Sequence, residues 1–250
     1  MNPFKTVPAM ITLVSAIKKF NSHVPEFEAL RAAGDDKTEQ AKILEYINEF
    51  GDEITRKYKV NFEVYGEENI PDHGPLMVYS NHQSFADILA VFTNFRKFQI
   101  GFVAKNEWHS WDILAKAIEY TRSIFLVRGG GRRALEALAQ TEDYLKRGFS
   151  LVIFPEGTRS QSHEMGEFKY GAFKFAQRGN VPILPMSVDG GFKIFEIDNS
   201  FHDGVTVRMK IHPMVHIENM SRAEQKEAFN QIEQTIRDGV KELVEMEENA

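Results

Sequence analysis

The 250-residue chain has no cysteine. A disulfide is therefore impossible, which suits a reducing compartment. The absence also limits the chemistry, because no cysteine thiolate can serve as a nucleophile. Any group transfer by this chain would have to use another nucleophile or go directly to the acceptor.

Long apolar runs are missing as well, and no stretch approaches the roughly 20 apolar residues that a bilayer-spanning helix needs. The apolar run from Val7 to Ile17 is too short to span, and it lacks the small-residue cleavage site of a signal peptide. Residues 1–20 carry three lysines and no acidic residue. Their apolar residues recur at helical spacing, which predicts either a basic amphipathic helix in the membrane interface or an ordinary helix packed on the domain.

Acidic residues outnumber basic ones by 36 to 30, so the formal net charge is -6. This balance argues against a nucleic-acid-binding protein. The distribution is uneven, however, because residues 96–178 contain 14 Lys/Arg and 9 Asp/Glu, a net charge of +5. The local excess fits an anionic substrate, although a solvated mixed surface gives the same count.

A hydrophobic content of 42% and a charged content of 26% are ordinary for a folded globular chain. From about residue 60, short β-branched and aromatic runs alternate with helical stretches, which predicts an α/β domain with a mixed central sheet flanked by helices. We expect two parts: an N-terminal helical, membrane-associating arm over residues 1–59 and the α/β domain over residues 60–250. Within the arm, a second helix is predicted over residues 38–58, after a turn at residues 32–36.

The alternating pattern predicts seven strands and five helices in the domain. The predicted strands are residues 61–65, 76–80, 101–104, 123–127, 150–154, 183–188 and 205–212. The predicted helices are residues 85–95, 108–120, 132–146, 170–177 and 222–247, the last of which starts with a capping box.

Residues 81–87 read Asn-His-Gln-Ser-Phe-Ala-Asp and stand where a predicted strand gives way to a helix. If Ser84 caps that helix, Asp87 lies in its first turn and can accept a hydrogen bond from one nitrogen of the His82 ring. The other ring nitrogen is then available to take a proton from an attacking hydroxyl. The alternative is a plain capping box beside an ordinary loop histidine.

Residues 154–160 read Phe-Pro-Glu-Gly-Thr-Arg-Ser and follow a buried-looking strand. Gly157 permits close backbone approach, and Thr158 supplies a hydroxyl. Arg159 can grip a phosphate through two parallel hydrogen bonds. Glu156 can orient a substrate hydroxyl or Arg159 itself, but a polar turn in which these two residues pair with each other is the alternative.

A third stretch, residues 123–133, predicts a strand, a glycine-rich loop and a helix. Backbone amides at a helix N-terminus attract anions, and Arg128, Arg132 and Arg133 reinforce that charge. Lys105, just past another predicted strand, is a further candidate cation. A flexible connector and a surface lysine are the corresponding alternatives.

Together these motifs resemble the 1-acylglycerol-3-phosphate acyltransferase family. Residues 81–87 match the family's His-x4-Asp motif, and residues 154–160 match its Phe-Pro-Glu-Gly-Thr-Arg-Ser block in full. Residues 123–128 look like the block that ends in arginine, residues 181–185 like the proline-bearing fourth block, and residues 105–107 like the Lys-x-Glu element. The chain departs from the family at residue 123, a serine where members often have glycine, and in an N-terminal arm more polar than that of many members.

The resemblance implies a role for each matched residue. His82 would be the general base on the acceptor hydroxyl, and Asp87 would hold its ring in the right tautomer. Residues of the second, third and Lys-x-Glu elements would bind the glycerol-phosphate part: Lys105, Arg128, Glu156, Gly157, Thr158 and Arg159. The fourth block would shape the acyl groove, or else be an ordinary core strand: Val181, Ile183 and Leu184.

The resemblance therefore predicts transfer of a fatty acyl chain to the sn-2 hydroxyl of 1-acylglycerol 3-phosphate, forming phosphatidic acid. The donor is expected to be a thioester of coenzyme A or of acyl-carrier protein, acting as co-substrate, with no cofactor. No metal is expected, because histidines 163, 202, 212 and 216 have no convincing ligand spacing. The expected partners are lysophosphatidic acid, the thioester donor and the membrane surface, with the protein peripheral on the cytoplasmic face of the cell membrane.

Three alternatives stay open at this point. The acceptor could be glycerol 3-phosphate or another lysophospholipid. The chain could instead hydrolyse the same thioester with water. It could also be a non-catalytic phospholipid-binding protein, although binding alone does not need a base with its orienting acid.

Overall fold

The computed structural model describes residues 2–105, 110–126 and 131–249. The helices described are α1 (Pro3–Asn21), α2 (Val24–Ala33), α3 (Asp36–Tyr58), α4 (Ala86–Asn94), α5 (Asp112–Tyr120), α6 (Arg132–Lys146), α7 (Phe173–Gly179) and α8 (Arg222–Glu248). The strands described are β1 (Asn61–Tyr65), β2 (Met77–Ser80), β3 (Ile100–Lys105), β4 (Ile124–Leu126), β5 (Ser150–Ile153), β6 (Ile183–Asp189) and β7 (Thr206–Ile211).

These strands form one mixed sheet in the order β1-β7-β6-β2-β5-β3-β4. β2 pairs in parallel with β5 on one side and with β6 on the other, and β3 and β4 continue the parallel part beyond β5. β7 runs antiparallel to β6 and parallel to β1. The predicted mixed α/β fold is confirmed, and its parallel strands end at one edge, where open α/β sheets bind ligands.

The three central strands are buried along their whole length. Every residue of β2, β5 and β6 is buried, which explains why they read as continuous apolar runs rather than as alternating ones. Helices must therefore cover both faces of the sheet, and α8 packs on β6 and β7.

Local sequence signals set several helix ends. Asp35 caps α3 by accepting a hydrogen bond from the backbone amide of Thr38 at 3.1 Å. Ser221 and Glu224 form the predicted capping box of α8. Gly34, at φ +69°, ends α2 in the predicted turn, but α2 itself was not predicted because only Val24 and Phe27 mark its buried side.

Buried charge attaches the N-terminal helices to the rest of the fold. Glu39 of α3 has no exposed surface and pairs with Arg122, and it accepts a hydrogen bond from Arg31 Nε at 2.7 Å. Removal of Glu39 would leave the buried Arg122 guanidinium without its hydrogen-bonded partner, which is strongly destabilising. The division of the chain at residues 59 and 60 stays a prediction.

Helix α1 has one packed side and one apolar exposed side. Ile17 and Phe20 are buried, whereas Phe4, Val7 and Ile11 are exposed by 89%, 52% and 64%. The helix thus packs on the fold, as the packed-helix interpretation of this segment expected. It also presents the exposed apolar surface that the membrane-interface interpretation required. Across the described ranges, no helix combines the length and the apolarity needed to cross a membrane.

A buried histidine lies between the sheet and α8. Ser187 Oγ donates to the carbonyl of Ile236 in α8 at 2.8 Å, so His212 Nε2, 2.8 Å from the same oxygen, must donate to it. Burial lowers the pKa of His212 to about 4, and nearby Lys210 acts in the same direction. The ring is therefore neutral at neutral pH. It donates to Ser187 of β6, and Ser187 in turn donates to α8.

We expect this histidine to make the fold sensitive to acid. Its pKa in the folded state lies below the usual value of about 6.5, so the unfolded state binds the proton first. The free energy of unfolding should fall as pH drops from about 6.5 to about 4, by up to about 1.4 kcal/mol per pH unit. Urea unfolding of His212→Gln should show a flatter profile over that window, whereas His216→Gln, at an exposed site, should match the parent. If the free energy of unfolding of His212→Gln falls as steeply with pH as that of the parent, His212 is not the source of the acid sensitivity.

Candidate active site

The first two motifs meet at the carboxyl edge of β2 and β5. These strands are neighbours, so residues 81–87 and 154–160 leave the sheet side by side. Backbone hydrogen bonds join the segments directly: Ser160 donates to the carbonyl of His82 at 2.8 Å, and Gln161 donates to that of Gln83 at 3.2 Å. The two motifs therefore form one site.

The predicted hydrogen bond between His82 and Asp87 is present, with Nδ1 and Oδ2 2.8 Å apart. The same carboxylate oxygen accepts the backbone amides of Gln83 at 2.7 Å and Ser84 at 3.0 Å. Because Oδ2 acts as an acceptor toward two amides, Nδ1 of the ring donates to it, and Nε2 is left as the basic nitrogen. Helix α4 begins at Ala86, and Ser84 Oγ accepts the amide of that residue at 3.0 Å.

Aromatic packing fixes the plane of the His82 ring. The ring stacks on Phe154, with centroids 4.0 Å apart and planes 11° apart, and Phe154 stacks in turn on Phe102. The histidine side chain is 14% exposed. The buried acid and the aromatic face together hold the ring in a single orientation.

Glu156 braces the two loops. Its Oε1 accepts the backbone amide of His82 at 2.7 Å, and its Oε2 accepts that of Gly166 at 2.8 Å. Burial raises the pKa of Glu156, and these two amide bonds oppose that rise. Both carboxylate oxygens are thus engaged by backbone amides, and the contact of Glu156 with the glycerol-phosphate part stays a prediction.

Arg159 pairs with Glu196, a residue that sequence reasoning missed. Arg159 Nη1 donates to Glu196 Oε1 at 2.9 Å, and the guanidinium carbon lies 3.7 Å from the centroid of the Phe85 ring. The alternative in which Arg159 pairs with Glu156 is therefore wrong. Burial raises the pKa of Glu196, while a hydrogen bond from Ser84 Oγ at 2.8 Å and the Arg159 charge oppose the rise.

Strand β6 closes the other side of the site. The Asn81 side-chain amide makes two hydrogen bonds with the backbone of Val188, each 2.8 Å long. Gln83 donates to Asp189 Oδ1 at 2.7 Å and accepts the amide of Gly190 at 3.0 Å. These links hold the loop after β6 against residues 81–87, and the motif gives no sign of them because the partners lie more than a hundred residues away.

Some of the other predicted phosphate-binding residues lie at the same edge of the sheet. Gly157, at φ +67°, forms a tight turn where an added Cβ would lie 3.1 Å from Lys169 Nζ, so Lys169 is a further nearby cation that the sequence analysis missed. Thr158 is exposed in that turn. Lys105 ends β3, the strand next to β5. Arg128 and residues 106–107 lie outside the described residues.

The predicted acyl-groove residues lie elsewhere. Ile183 and Leu184 have no exposed surface and begin β6, in register with Met77 and Val78 of β2. Val181 is 6% exposed. The structure thus places all three in the core at the amino end of the strand, away from His82, and their role in a groove stays a prediction.

One group of described residues has ligand types that could hold a metal ion. Atoms of His163, Asp189 and Glu247 lie within 4.8 Å of one another. Asp189 Oδ1 already accepts hydrogen bonds from Gln83 and from His163 Nδ1 at 2.8 Å, and Glu247 pairs with Lys193. A lysine therefore compensates the charge of Glu247, and two side chains engage one oxygen of Asp189.

Comparison with known proteins agrees with this geometry. Residues 61–189 match the acyltransferase family. This chain belongs to that family. The resemblance predicted from the motifs is confirmed.

This chain resembles a solved structure over nearly the whole length of both chains. The match is the crystal structure of the 1-acyl-sn-glycerophosphate (LPA) acyltransferase PlsC from Thermotoga maritima, which is 27% identical with a TM-score of 0.71 and covers 93% of this chain and 95% of that one. A chloroplast 1-acyl-sn-glycerol-3-phosphate acyltransferase of Arabidopsis thaliana is 34% identical over 64% of this chain and 44% of its own length. The 1-acyl-sn-glycerol-3-phosphate acyltransferase of Pseudomonas aeruginosa is 31% identical over 64% of this chain and 61% of its own length. The acyltransferase thus spans less than two thirds of the length of these two curated relatives.

The brace formed by Glu156 gives a stability prediction. Glu156→Gln keeps the shape but replaces one acceptor with an amide that faces a backbone N–H, so a buried donor loses its partner. We expect the free energy of unfolding to fall by about 1–3 kcal/mol, measured by urea denaturation. Glu164→Gln, an exposed position in the same loop, should unfold like the parent. Equal stability of both variants would show that Glu156 does not brace the loops.

Proposed function

We propose that this acyltransferase moves a fatty acyl chain from a thioester to the sn-2 hydroxyl of 1-acylglycerol 3-phosphate, forming phosphatidic acid. The observation that carries the proposal is the buried His82–Asp87 hydrogen bond in backbone contact with the segment that contains Arg159. The similarity to 1-acylglycerol-phosphate acyltransferases supports this choice of acceptor.

The geometry supports direct attack by the acceptor. His82 Nε2 takes the proton of the hydroxyl while its oxygen bonds to the thioester carbon. The tetrahedral intermediate then collapses with cleavage of the carbon–sulfur bond, and the imidazolium returns the proton to the departing sulfur. An ester and a free thiol result, the base is restored, and no covalent enzyme intermediate is required. Asp87 stabilises the imidazolium and keeps Nδ1 protonated throughout.

The phosphate of the acceptor would bind Arg159. Within the described residues the guanidinium makes one hydrogen bond, to Glu196, so the other N–H donors of its planar fork are left for a phosphate. Lys105 and Lys169 would add positive charge from the adjacent strand and turn. Glycerol 3-phosphate carries the same phosphate, so the acyl chain of the acceptor is what would distinguish the two substrates.

The proposal also includes the acyl donor and the contact with the membrane. Either coenzyme A or acyl-carrier protein could carry the acyl chain, because the proposed chemistry uses only the thioester. The exposed apolar side of α1 supports a peripheral position on the membrane surface, which we propose to be the cytoplasmic face.

Loss of the base should abolish most of the activity. His82→Ala should lower kcat by on the order of 10²–10⁴-fold, because the attacking hydroxyl then loses its proton acceptor. The assay offers a long-chain acyl-coenzyme A or acyl-carrier protein with 1-acylglycerol 3-phosphate or glycerol 3-phosphate, and resolves the lipid products. His202→Ala, at a partly exposed histidine that also pairs with an aspartate, is the matched control and should keep parental turnover.

The products decide between the alternatives. Phosphatidic acid formed from 1-acylglycerol 3-phosphate and lost in His82→Ala supports the proposal. Acylation of glycerol 3-phosphate alone would replace the acceptor, and free fatty acid without phosphatidic acid would indicate a hydrolase. Consumption of neither thioester would favour a binding protein, and near-parental turnover of His82→Ala would remove His82 from the mechanism.

The membrane contact can be tested on the exposed side of α1. The double substitution Phe4→Glu and Ile11→Glu leaves the packed side intact but replaces apolar contact with charge that anionic lipid repels. We expect weaker cosedimentation with anionic liposomes. Leu135→Glu, at a 67% exposed leucine on α6, is the control. Unchanged partitioning of the double variant would leave α1 with a packing role only.

A further inference from the structure

Glu196 lies in the loop after β6 and belongs to none of the family's motif blocks, yet it is built into the site. Its side chain is 3% exposed, and its carboxylate joins two segments: Oε1 accepts from Arg159 and Oε2 accepts from Ser84. We propose that Glu196 is a positioning residue that aims Arg159 at the phosphate of the acceptor. The proposal rests on the function proposed above, in which Arg159 binds that phosphate.

Two different contacts hold the guanidinium of Arg159. Glu196 binds one of its nitrogens at 2.9 Å, while the Phe85 ring supports the group at 3.7 Å through a cation–π contact. A long flexible side chain is thereby fixed before a ligand arrives. Such preorganisation reduces the entropy lost on binding, so the gain should appear in affinity for the phosphate.

The same carboxylate sets the distance between the phosphate anchor and the base. Ser84 and Phe85 belong to the short loop that begins with His82 and ends with Asp87. Because Glu196 hydrogen-bonds to Ser84 and to Arg159 together, a phosphate on Arg159 is placed at a fixed distance from the imidazole.

The charge of Glu196 acts in the opposite direction, because a carboxylate beside Arg159 repels a phosphate. If repulsion dominated, Glu196 would be a competitor for the arginine, and its removal would tighten binding. A competitor would not need a second hydrogen bond to the His82 loop, nor burial. The geometry therefore favours positioning, and the two effects predict opposite signs.

The test measures acceptor KM and kcat at saturating thioester, using 1-acylglycerol 3-phosphate as the variable substrate. Glu196→Ala should raise the acceptor KM about tenfold, the range of one charge-assisted hydrogen bond, and change kcat by less than about threefold. Glu196→Gln, which keeps an oxygen for Arg159, should recover most of the loss. Glu63→Gln, which weakens the ion pair with Arg208 on the far strands of the sheet, is the control and should leave both constants unchanged.

A double-mutant cycle separates positioning from a structural effect. In an Arg159→Ala background, Glu196→Ala should have no further effect on acceptor KM, because the residue acts through the arginine. An unchanged or lower KM in Glu196→Ala, or an equal rise in both backgrounds, would overturn the proposal. If Arg159→Ala itself leaves the acceptor KM unchanged, the proposed phosphate site fails, which is a different result from failure of Glu196 alone.

Discussion

Asp87 places a carboxylate inside the packed fold with none of its surface exposed. Such a group is tolerated only if donors surround it, and here one oxygen receives two backbone amides and the His82 ring. The loop from His82 to Asp87 must curl around that oxygen to supply them. Gly191 completes the enclosure, since a Cβ there would lie 2.9 Å from the other carboxylate oxygen.

The features that sequence predicted well are those with local or periodic causes. Buried parallel strands are continuous apolar runs, so each strand was placed to within about two residues, and the capping box marked the start of α8. The contact of His82 with Asp87 was also predictable, because both residues lie in one short loop at a helix start. Helix α2 was missed because its apolar residues are too few to show a periodic face.

The pairing of charges across the fold was not predictable in this way. Glu156 and Arg159 are three residues apart in one motif, yet the first braces two loops and the second pairs with Glu196 after β6. Sequence shows which charges exist, but the strand order decides which of them meet. The fourth block illustrates the same limit, since its apolar residues serve a core strand equally well as a groove, and the structure places Ile183 and Leu184 in the core.

The position of β2 between β5 and β6 has a consequence for biosynthesis. Met77 pairs with Leu151 and with Ile183, so both neighbours of β2 are synthesised long after it. During translation this strand, which is fully buried in the folded chain, has two unpaired edges, and non-local parallel pairing of this kind is slow and exposed to aggregation. The segment from His82 to Asp87 follows directly from β2, so we expect it to take its shape only after most of the chain has left the ribosome.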